Sequence, residues 1–391
     1  MIDPFAAVAT VRLRPGRDAS VRRRHPWLYR GALAAPLGAG QGPVQVCAAS
    51  GERLGIALPG GSGGSLALRM VSFGDESWDS AALHARLARA LALRRRLVLD
   101  SDAYRLAHAE GDDLPGLVVD IYGSWAVAEP FEPAWEPYLG ELAAWLVTAT
   151  GVSDVLVRPA WAPGSASALR GRLPEAPVFV REGNVHLPAD LVHGQKTGLF
   201  LDQRDNRRRL AALARGATML NLFSYSGAFA VTALAAGARR AINVDASRPA
   251  LELARLAYRR NSFQVADEDF VAGDAFEIVR ERAAAAERHG IVVVDPPAFV
   301  KRAADRTRGL AGYRDINLFA LRLVAPGGLL LTCSCSALVS EEQFGQTLFA
   351  AALDARRSVR VLARWGAAPD HPVSLFCPET RHLKAWLCAV E

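Results

Sequence analysis

From about residue 190 onward, apolar runs of strand length alternate with helical stretches, and this rhythm constrains the fold more than any other feature of the chain. The runs cover 218–223, 241–245, 291–295 and 329–332; the helical stretches between and around them cover 229–236, 249–261, 275–288 and 313–324. Strands alternating with helices predict an α/β fold with a parallel sheet covered on both faces. In such sheets ligands bind beyond the carboxyl ends of the strands, near the point where the strand order reverses. The residues that close each run are therefore the functional candidates.

The first run leads into Asn221-Leu222-Phe223-Ser224-Tyr225-Ser226-Gly227-Ala228-Phe229. A strand entering a glycine turn and then a helix lets the backbone approach a ligand closely. With Gly227 alone, the turn lacks the G-x-G-x-x-G fingerprint of nicotinamide enzymes. The second run ends at Asp245, where a carboxylate can accept ribose hydroxyls. The third site is Gly273-Asp274-Ala275, suited to an adenine edge, and the fourth is Asp295-Pro296-Pro297. Four such ends in this order point to an S-adenosylmethionine fold over a nicotinamide fold.

The earlier half reads differently. Residues 1–75 form short strands broken by turns and contain nine Arg against four Asp plus Glu. The segment Arg22-Arg23-Arg24-His25-Pro26-Trp27 is a basic, aromatic cluster suited to RNA, with a solvated charge run as the plain alternative. Residues 76–185 mix a helix at 80–99, a turn at 112–116, a strand at 117–120, a helix at 138–148 and a strand at 155–158 into a small α+β domain. The stretch 161–176, rich in Pro, Gly, Ala and Ser, is the linker candidate, and 178–187 reads as a hairpin. The remainder, 186–391, is the Rossmann-like part.

These motifs resemble class I methyltransferases, and more closely the bacterial large-subunit (23S) ribosomal RNA cytosine-5 methyltransferases. The resemblance is carried by Gly194-Gln195-Lys196-Thr197-Gly198, by Leu201-Asp202-Gln203-Arg204-Asp205-Asn206-Arg207, by Thr332-Cys333-Ser334-Cys335-Ser336, and by Asp370-His371-Pro372. It also takes in 22–27 and 110–117, and so spans essentially the whole chain. It implies an N-terminal PUA-type RNA-binding domain, a middle domain and a C-terminal methyltransferase domain. Implied cofactor contacts are Phe223, Ser224, Tyr225, Gly227, Asp245, Asp274 and Asp295, with Gln203 and Arg204 closing one side. Asn221 stands where many class I enzymes carry an acid.

Cysteine decides the chemistry. Carbon 5 of a pyrimidine is a poor nucleophile until a thiolate adds to carbon 6 and makes it enamine-like. Cys333, matching the threonine–cysteine–serine nucleophile of that family, is the expected attacker, against the plain reading of an inert core thiol. Asp295 is expected to steer protonation of the ring nitrogen. Ala298 occupies the position where two-cysteine RNA cytosine methyltransferases carry a release cysteine, leaving Lys301 or water as candidates. Amino-group methyltransferases carry an aromatic directly after the Pro-Pro pair; here Phe299 comes one residue later. Uracil carbon-5 methylation and amino-group methylation of a ribosomal RNA purine are the alternatives.

Arginine has displaced lysine almost everywhere: 46 basic residues include only Lys196, Lys301 and Lys384. Lys196 and Lys301 fall in or beside motifs and join Arg22, Arg23 and Arg24 as RNA-binding candidates. The net charge of +6 leans toward nucleic acid. Five scattered cysteines suggest neither a disulfide framework nor a metal site. No apolar run approaches the roughly 18 residues of a membrane span, and Asp3 ahead of Arg12 and Arg14 is the wrong charge order for a secretory signal. The expectation is a cytoplasmic protein with 23S ribosomal RNA as partner, and a homodimer is left open.

Overall fold

The computed structural model describes residues 3–38, 40, 42–61 and 64–391. The chain divides into two compact units. One runs through Val178 and adds Asp190–Gly198 and Pro369–Thr380; the other holds Phe179–Ala189, Leu199–Ala368 and Arg381–Glu391. Among the described residues, no helix is long and apolar enough to cross a membrane.

In the first unit, β1 (Ala9–Arg12), helix α1 (Ala19–Arg22), β2 (Trp27–Tyr29), β3 (Val44–Cys47), β4 (Arg53–Pro59) and β5 (Leu66–Met70) build a sheet ordered β1-β3-β4-β5-β2. Alternation sets its inner face: Val44 and Val46 are buried while Gln45 between them is only partly so. Gly55 is obligatory, because a Cβ there would lie 2.1 Å from the Ser72 carbonyl oxygen and the backbone has φ +135°.

Helix α2 (Ser80–Leu97) follows, capped by Asp79, whose carboxylate accepts the Ala82 N–H at 2.7 Å. Next come β6 (Ala103–His108), β7 (Leu117–Tyr122), β8 (Trp125–Pro130), α3 (Leu139–Thr150), β9 (Asp154–Val157) and β10 (Ser167–Arg170). These strands form a second sheet ordered β10-β9-β8-β7-β6. Leu87, Leu106, Val119, Trp135 and Leu142 form its core together with Ile56, Leu58 and Val71, so the two sheets share apolar packing. The stretch read as a linker, 161–176, therefore needs correcting: it contains β10, which pairs antiparallel with β9. Composition hid a strand whose exposed edge buries little.

The second unit opens with the hairpin β11 (Val178–Glu182) and β12 (Val185–Ala189), followed by α4 (Arg204–Ala211). Arg207 of α4 donates its Nε–H to Glu182 of β11 at 2.8 Å, a buried ion pair. The doubly wound part runs β13 (Thr218–Leu222), α5 (Ala228–Ala235), β14 (Arg240–Asp245), α6 (Arg248–Arg260), β15 (Phe270–Ala272), α7 (Ala275–Ala284), β16 (His289–Val294), α8 (Arg306–Leu323), β17 (Val324–Ser334), α9 (Glu341–Ala355), β18 (Val359–Trp365) and β19 (Lys384–Val390). The sheet order is β15-β14-β13-β16-β17-β19-β18. The first five strands are parallel, and β19 pairs antiparallel with both β17 and β18. This is the expected Rossmann-like α/β sheet, extended by an antiparallel pair. Its order reverses between β13 and β16, so a ligand crevice belongs at their carboxyl ends.

Candidate active site

The turn after β13 is tightly wound. Phe223 (φ +57°), Tyr225 (φ +46°) and Gly227 (φ +70°) all have left-handed backbones, a cost that non-glycine residues rarely carry outside functional turns. A Cβ on Gly227 would meet the Ala254 Cβ at 2.9 Å, so glycine lets this turn press against α6. Asp245, at the end of β14, accepts the Tyr225 N–H through Oδ2 at 2.8 Å and the Ser247 N–H through Oδ1 at 2.9 Å. Each oxygen keeps a second lone pair for a hydroxyl. The hydroxyls of Ser224 and Ser226 are buried in this turn without a hydrogen-bond partner. Such orphaned donors are costly unless a ligand satisfies them, and they fit the polar portion of S-adenosylmethionine. Asp274 caps α7 by accepting the Phe276 N–H at 2.6 Å, and it is exposed.

Asn221 lies across from Asn243, whose Oδ1 would be 3.3 Å from a Cβ on Gly227. Its amide donates to Asn243 Oδ1 at 3.1 Å, and Asn243 in turn donates to the Tyr258 hydroxyl at 3.0 Å. The residue that departs from the family pattern is thus a rung of a buried polar ladder between β13 and β14.

The second cluster gathers where β16 and β17 end side by side, with Val294 opposite Thr332. This register puts Asp295 and Cys333, the next residue of each strand, at the same level. Gln203 joins them: its Nε2 lies 2.9 Å from Asp295 Oδ2 and 3.5 Å from Cys333 Sγ. Asn206 holds the amide from behind, donating to Gln203 Oε1 at 2.7 Å and to the Gly366 carbonyl at 3.0 Å. Asp202 is buried beside them with its Oδ2 3.0 Å from His382 Nε2. Cys333 is fully buried, and its pKa lies well above the usual thiol value; burial is the main cause, the nearby Asp295 charge the next, and the Gln203 amide opposes both. Cys335 is half-buried, its Sγ 3.6 Å from the Pro296 carbonyl oxygen.

Folding also recruits residues to which the sequence motifs gave no role. Lys384 of β19 is buried, and its Nζ donates to the Ser336 and His382 carbonyls at 3.1 and 3.3 Å. Burial holds its pKa below the ordinary lysine value. The Ser336 hydroxyl accepts the Val300 N–H at 3.1 Å and bonds the Tyr313 hydroxyl at 2.9 Å, tying the end of β17 to the loop after Asp295. Phe299 packs into an aromatic group with Phe223, Phe276 and Tyr313, at ring separations of 6.4, 5.7 and 4.6 Å.

Not every anticipated site residue joins these clusters. Arg204 is buried, its Nε 3.5 Å from Asp205 Oδ1. Lys301 is exposed on the loop after β16. Lys196, in the first unit, is exposed with a left-handed backbone, next to Thr197, whose buried hydroxyl donates to Asp120 at 2.5 Å. The arginine cluster is not three free cations. Arg22 pairs with Asp18 and Glu52 at 2.7 and 2.5 Å, and Arg24 with Glu76 at 2.9 Å; of the three, Arg23 alone is exposed without a side-chain partner among the described residues. Trp27 is also engaged, donating its indole N–H to Glu110 at 2.7 Å. Cys377 meets His25 and Glu379, their ligand atoms all within 4.8 Å of one another. His25 Nδ1 accepts the Trp27 N–H, so a neutral ring carries its proton on Nε2, facing Glu379. That describes a hydrogen-bonded trio.

A sheet reversing between β13 and β16, with a strained glycine turn, orphaned hydroxyls and a carboxylate at successive strand ends, defines a methyltransferase built around S-adenosylmethionine. A family model described as S-adenosylmethionine-dependent methyltransferase matches residues 138–374, and one described as a PUA-like domain matches residues 11–73. S-adenosylmethionine is the cofactor, and the fold carries a PUA-like domain ahead of the Rossmann-like one. A curated relative from Alteromonas mediterranea, named ribosomal RNA large subunit methyltransferase I, is 36% identical and aligns over 98% of this chain and 99% of its own length. Relatives of the same name from Pseudoalteromonas translucida and Erwinia tasmaniensis are 34% and 35% identical, with 98% and 97% of this chain covered and 99% and 100% of their own. The chain belongs to this ribosomal RNA large subunit methyltransferase I family. A solved Streptococcus mutans protein described as a SAM-dependent methyltransferase shares the fold at TM-score 0.85 and 20% identity, over 98% of this chain and all of its own. Another solved methyltransferase, complexed with S-adenosylhomocysteine, superimposes at TM-score 0.86 with the same identity and coverage.

Proposed function

We propose that this protein methylates carbon 5 of a cytosine in 23S ribosomal RNA, with Cys333 as the nucleophile that adds to carbon 6. The observation that carries the reading is the single Gln203 amide nitrogen shared between Cys333 Sγ and Asp295 Oδ2. Methylation of an exocyclic amine has no use for a thiol held beside an acid. Phe299, packed among three aromatic rings, is also poorly placed to stack on a target base as an amino-group enzyme would require.

Burial and the Asp295 charge keep Cys333 as a thiol between turnovers. When a pyrimidine enters, the sulfur–carbon-6 bond forms as the thiol proton passes to Asp295. Asp295 delivers that proton to ring nitrogen 3, and carbon 5 becomes the enamine carbon. S-adenosylmethionine supplies a methyl group made electrophilic by its sulfonium sulfur. The carbon-5 proton then passes to water, which restores the ring double bond and expels the Cys333 sulfur, while the nitrogen-3 proton returns through Asp295 to that sulfur and regenerates the thiol.

In this reading Ser224, Ser226 and Gly227 receive the polar end of the cofactor, Asp245 its ribose and Asp274 its adenine edge. Phe223 and Tyr225 line the site, and Arg204 and Gln203 close it. Residues 1–75 serve as the RNA-binding domain and 76–185 as a middle domain, leaving 186–391 as the catalytic domain. Arg22, Arg23, Arg24, Lys196 and Lys301 are the phosphate-facing groups of this reading, and Arg22 and Arg24 first have to leave their acids.

The test is nucleoside analysis of unmodified large-subunit ribosomal RNA after incubation with the protein and methyl-labelled S-adenosylmethionine. Label eluting with 5-methylcytidine is the expected result. Label in 5-methyluridine or in an N-methylated purine would overturn the reading.

A further inference from the structure

In the first unit, a cavity of about 510 Å3 lies between β5 with its following loop, helix α2 and the segment 374–376. That volume falls within the roughly 300–1,000 Å3 typical of small-ligand sites. Three arginines line it: Arg24, Arg86 and Arg89.

Arg86 is the informative one. It is 9% exposed, its guanidinium lies 5.2 Å over the Trp78 ring, and its one hydrogen bond is to the Asp113 carbonyl at 3.1 Å. Among the described residues, no carboxylate forms an ion pair with it. A guanidinium has five donors, so Arg86 brings several further N–H groups to the cavity, its charge offset only through space by Asp113 and Glu76. Burying a charge without a contacting counter-charge is costly, and burial pulls its pKa below the usual arginine value, with Asp113 and Glu76 opposing the shift. The acids on the cavity wall are otherwise engaged. Glu76 pairs with Arg24, Glu110 bonds Arg69 and Trp27, and Asp113 lies 3.9 Å from Arg89 in an exposed, weak pair.

The mouth is aromatic. Arg24 lies 4.8 Å over the Phe73 ring and 6.0 Å from that of Phe376, and Phe376 is 53% exposed. A desolvated guanidinium seeking an anion, beside an exposed ring seeking a flat apolar partner, matches the two chemical ends of a nucleotide.

We propose that this cavity takes one unpaired nucleotide of the RNA, its phosphate against Arg86 and Arg89 and its base against Phe376. The proposal rests on the reading that the substrate is RNA. It adds a subsite in the first unit, built from residues outside the Cys333 cluster.

The test is equilibrium binding of a fluorescein-labelled single-stranded RNA dodecamer to the full chain across a salt series, with an abasic dodecamer as control. Phe376→Ala should weaken RNA binding at least about fivefold, leave the salt slope unchanged, and bind the abasic probe as wild type does. Arg86→Met keeps the bulk and removes the charge; it should weaken both probes and lower the salt slope by about 0.7. Should Arg86→Met fold poorly, Phe376→Ala decides alone, because its ring is exposed. Wild-type RNA affinity in Phe376→Ala, or equal losses on the two probes, overturns the cavity proposal while RNA methylation by the wild type stands. If wild type neither binds RNA nor methylates it, the RNA reading falls and takes the subsite with it.

Discussion

At the scale of residues, the amide of Gln203 has its oxygen fixed by Asn206 and its nitrogen shared between Asp295 and Cys333. An amide held at both ends cannot turn over, so Gln203 sets the separation of thiol and carboxylate. The motif suggested a wall of the cofactor site; the geometry points its side chain at the reacting groups. The two roles predict different outcomes. Gln203→Leu should lower kcat by about tenfold or more through misalignment, with the Kd for S-adenosylmethionine unchanged within about twofold. Calorimetry beside single-turnover kinetics separates them, and a weakened Kd with intact kcat would return Gln203 to the cofactor wall. Asp245 and Asp295 were legible because they stand at strand ends, Gly227 because it is the glycine of the turn after β13, and Cys333 because it lies in the threonine–cysteine–serine motif. Asn206, Ser336 and Lys384 were not read as site residues. Lys384 and Ser336 meet across 48 positions, and Asn206, although three residues from Gln203, is anchored to Gly366, 160 positions away.

Among the elements, the four apolar runs reappear as β13, β14, β16 and β17 with ends shifted by a few residues. Unread were β15, with three residues too few to show a period, the largely exposed β18, and every other element beyond residue 332, including helix α9 and the buried strand β19. Strand β17 runs on to Ser334, which brings Cys333 inside the strand and leaves Cys335 just beyond it. Its neighbour β19 buries Cys388, whose thiol is pushed up to about 12, and β17 buries Cys333, raised for the same main reason. Above the ordinary thiol pKa of 9.0 the unfolded chain loses these protons and the folded chain keeps them. The unfolded state then binds fewer protons, so stability falls as pH rises. Lys384 on β19 works the other way: its folded pKa is lowered from 10.5, so the fold gains as pH rises toward that value. Urea midpoints should therefore decline slowly between pH 9 and 10.5 and more steeply above. Cys388→Ala should show a shallower decline than wild type; parallel slopes would contradict the burial argument.

Across the whole molecule, the rhythm of the second half showed the α/β sheet, whereas the first unit was readable only in outline. Its two sheets are cut from short strands whose shared core, through Ile56, Leu58 and Val71, depends on contacts distant in sequence. A basic run such as Arg22–Arg24 reads as free charge in a sequence, yet two of its three members are already paired with acids.

The account turns on a covalent bond between Cys333 and carbon 6, and RNA carrying 5-fluorocytidine at the target position traps it, because the carbon-5 proton that must leave is replaced by fluorine. Their two-residue spacing in the sequence cannot choose between Cys333 and Cys335, since strand residues two apart share a face. The Gln203 amide chooses Cys333. Denaturing gels should show a stable protein–RNA adduct, dependent on S-adenosylmethionine, for wild type and for Cys335→Ala, and none for Cys333→Ala. An adduct that survives in Cys333→Ala and disappears in Cys335→Ala, or no adduct from wild type on a verified target, would contradict the account.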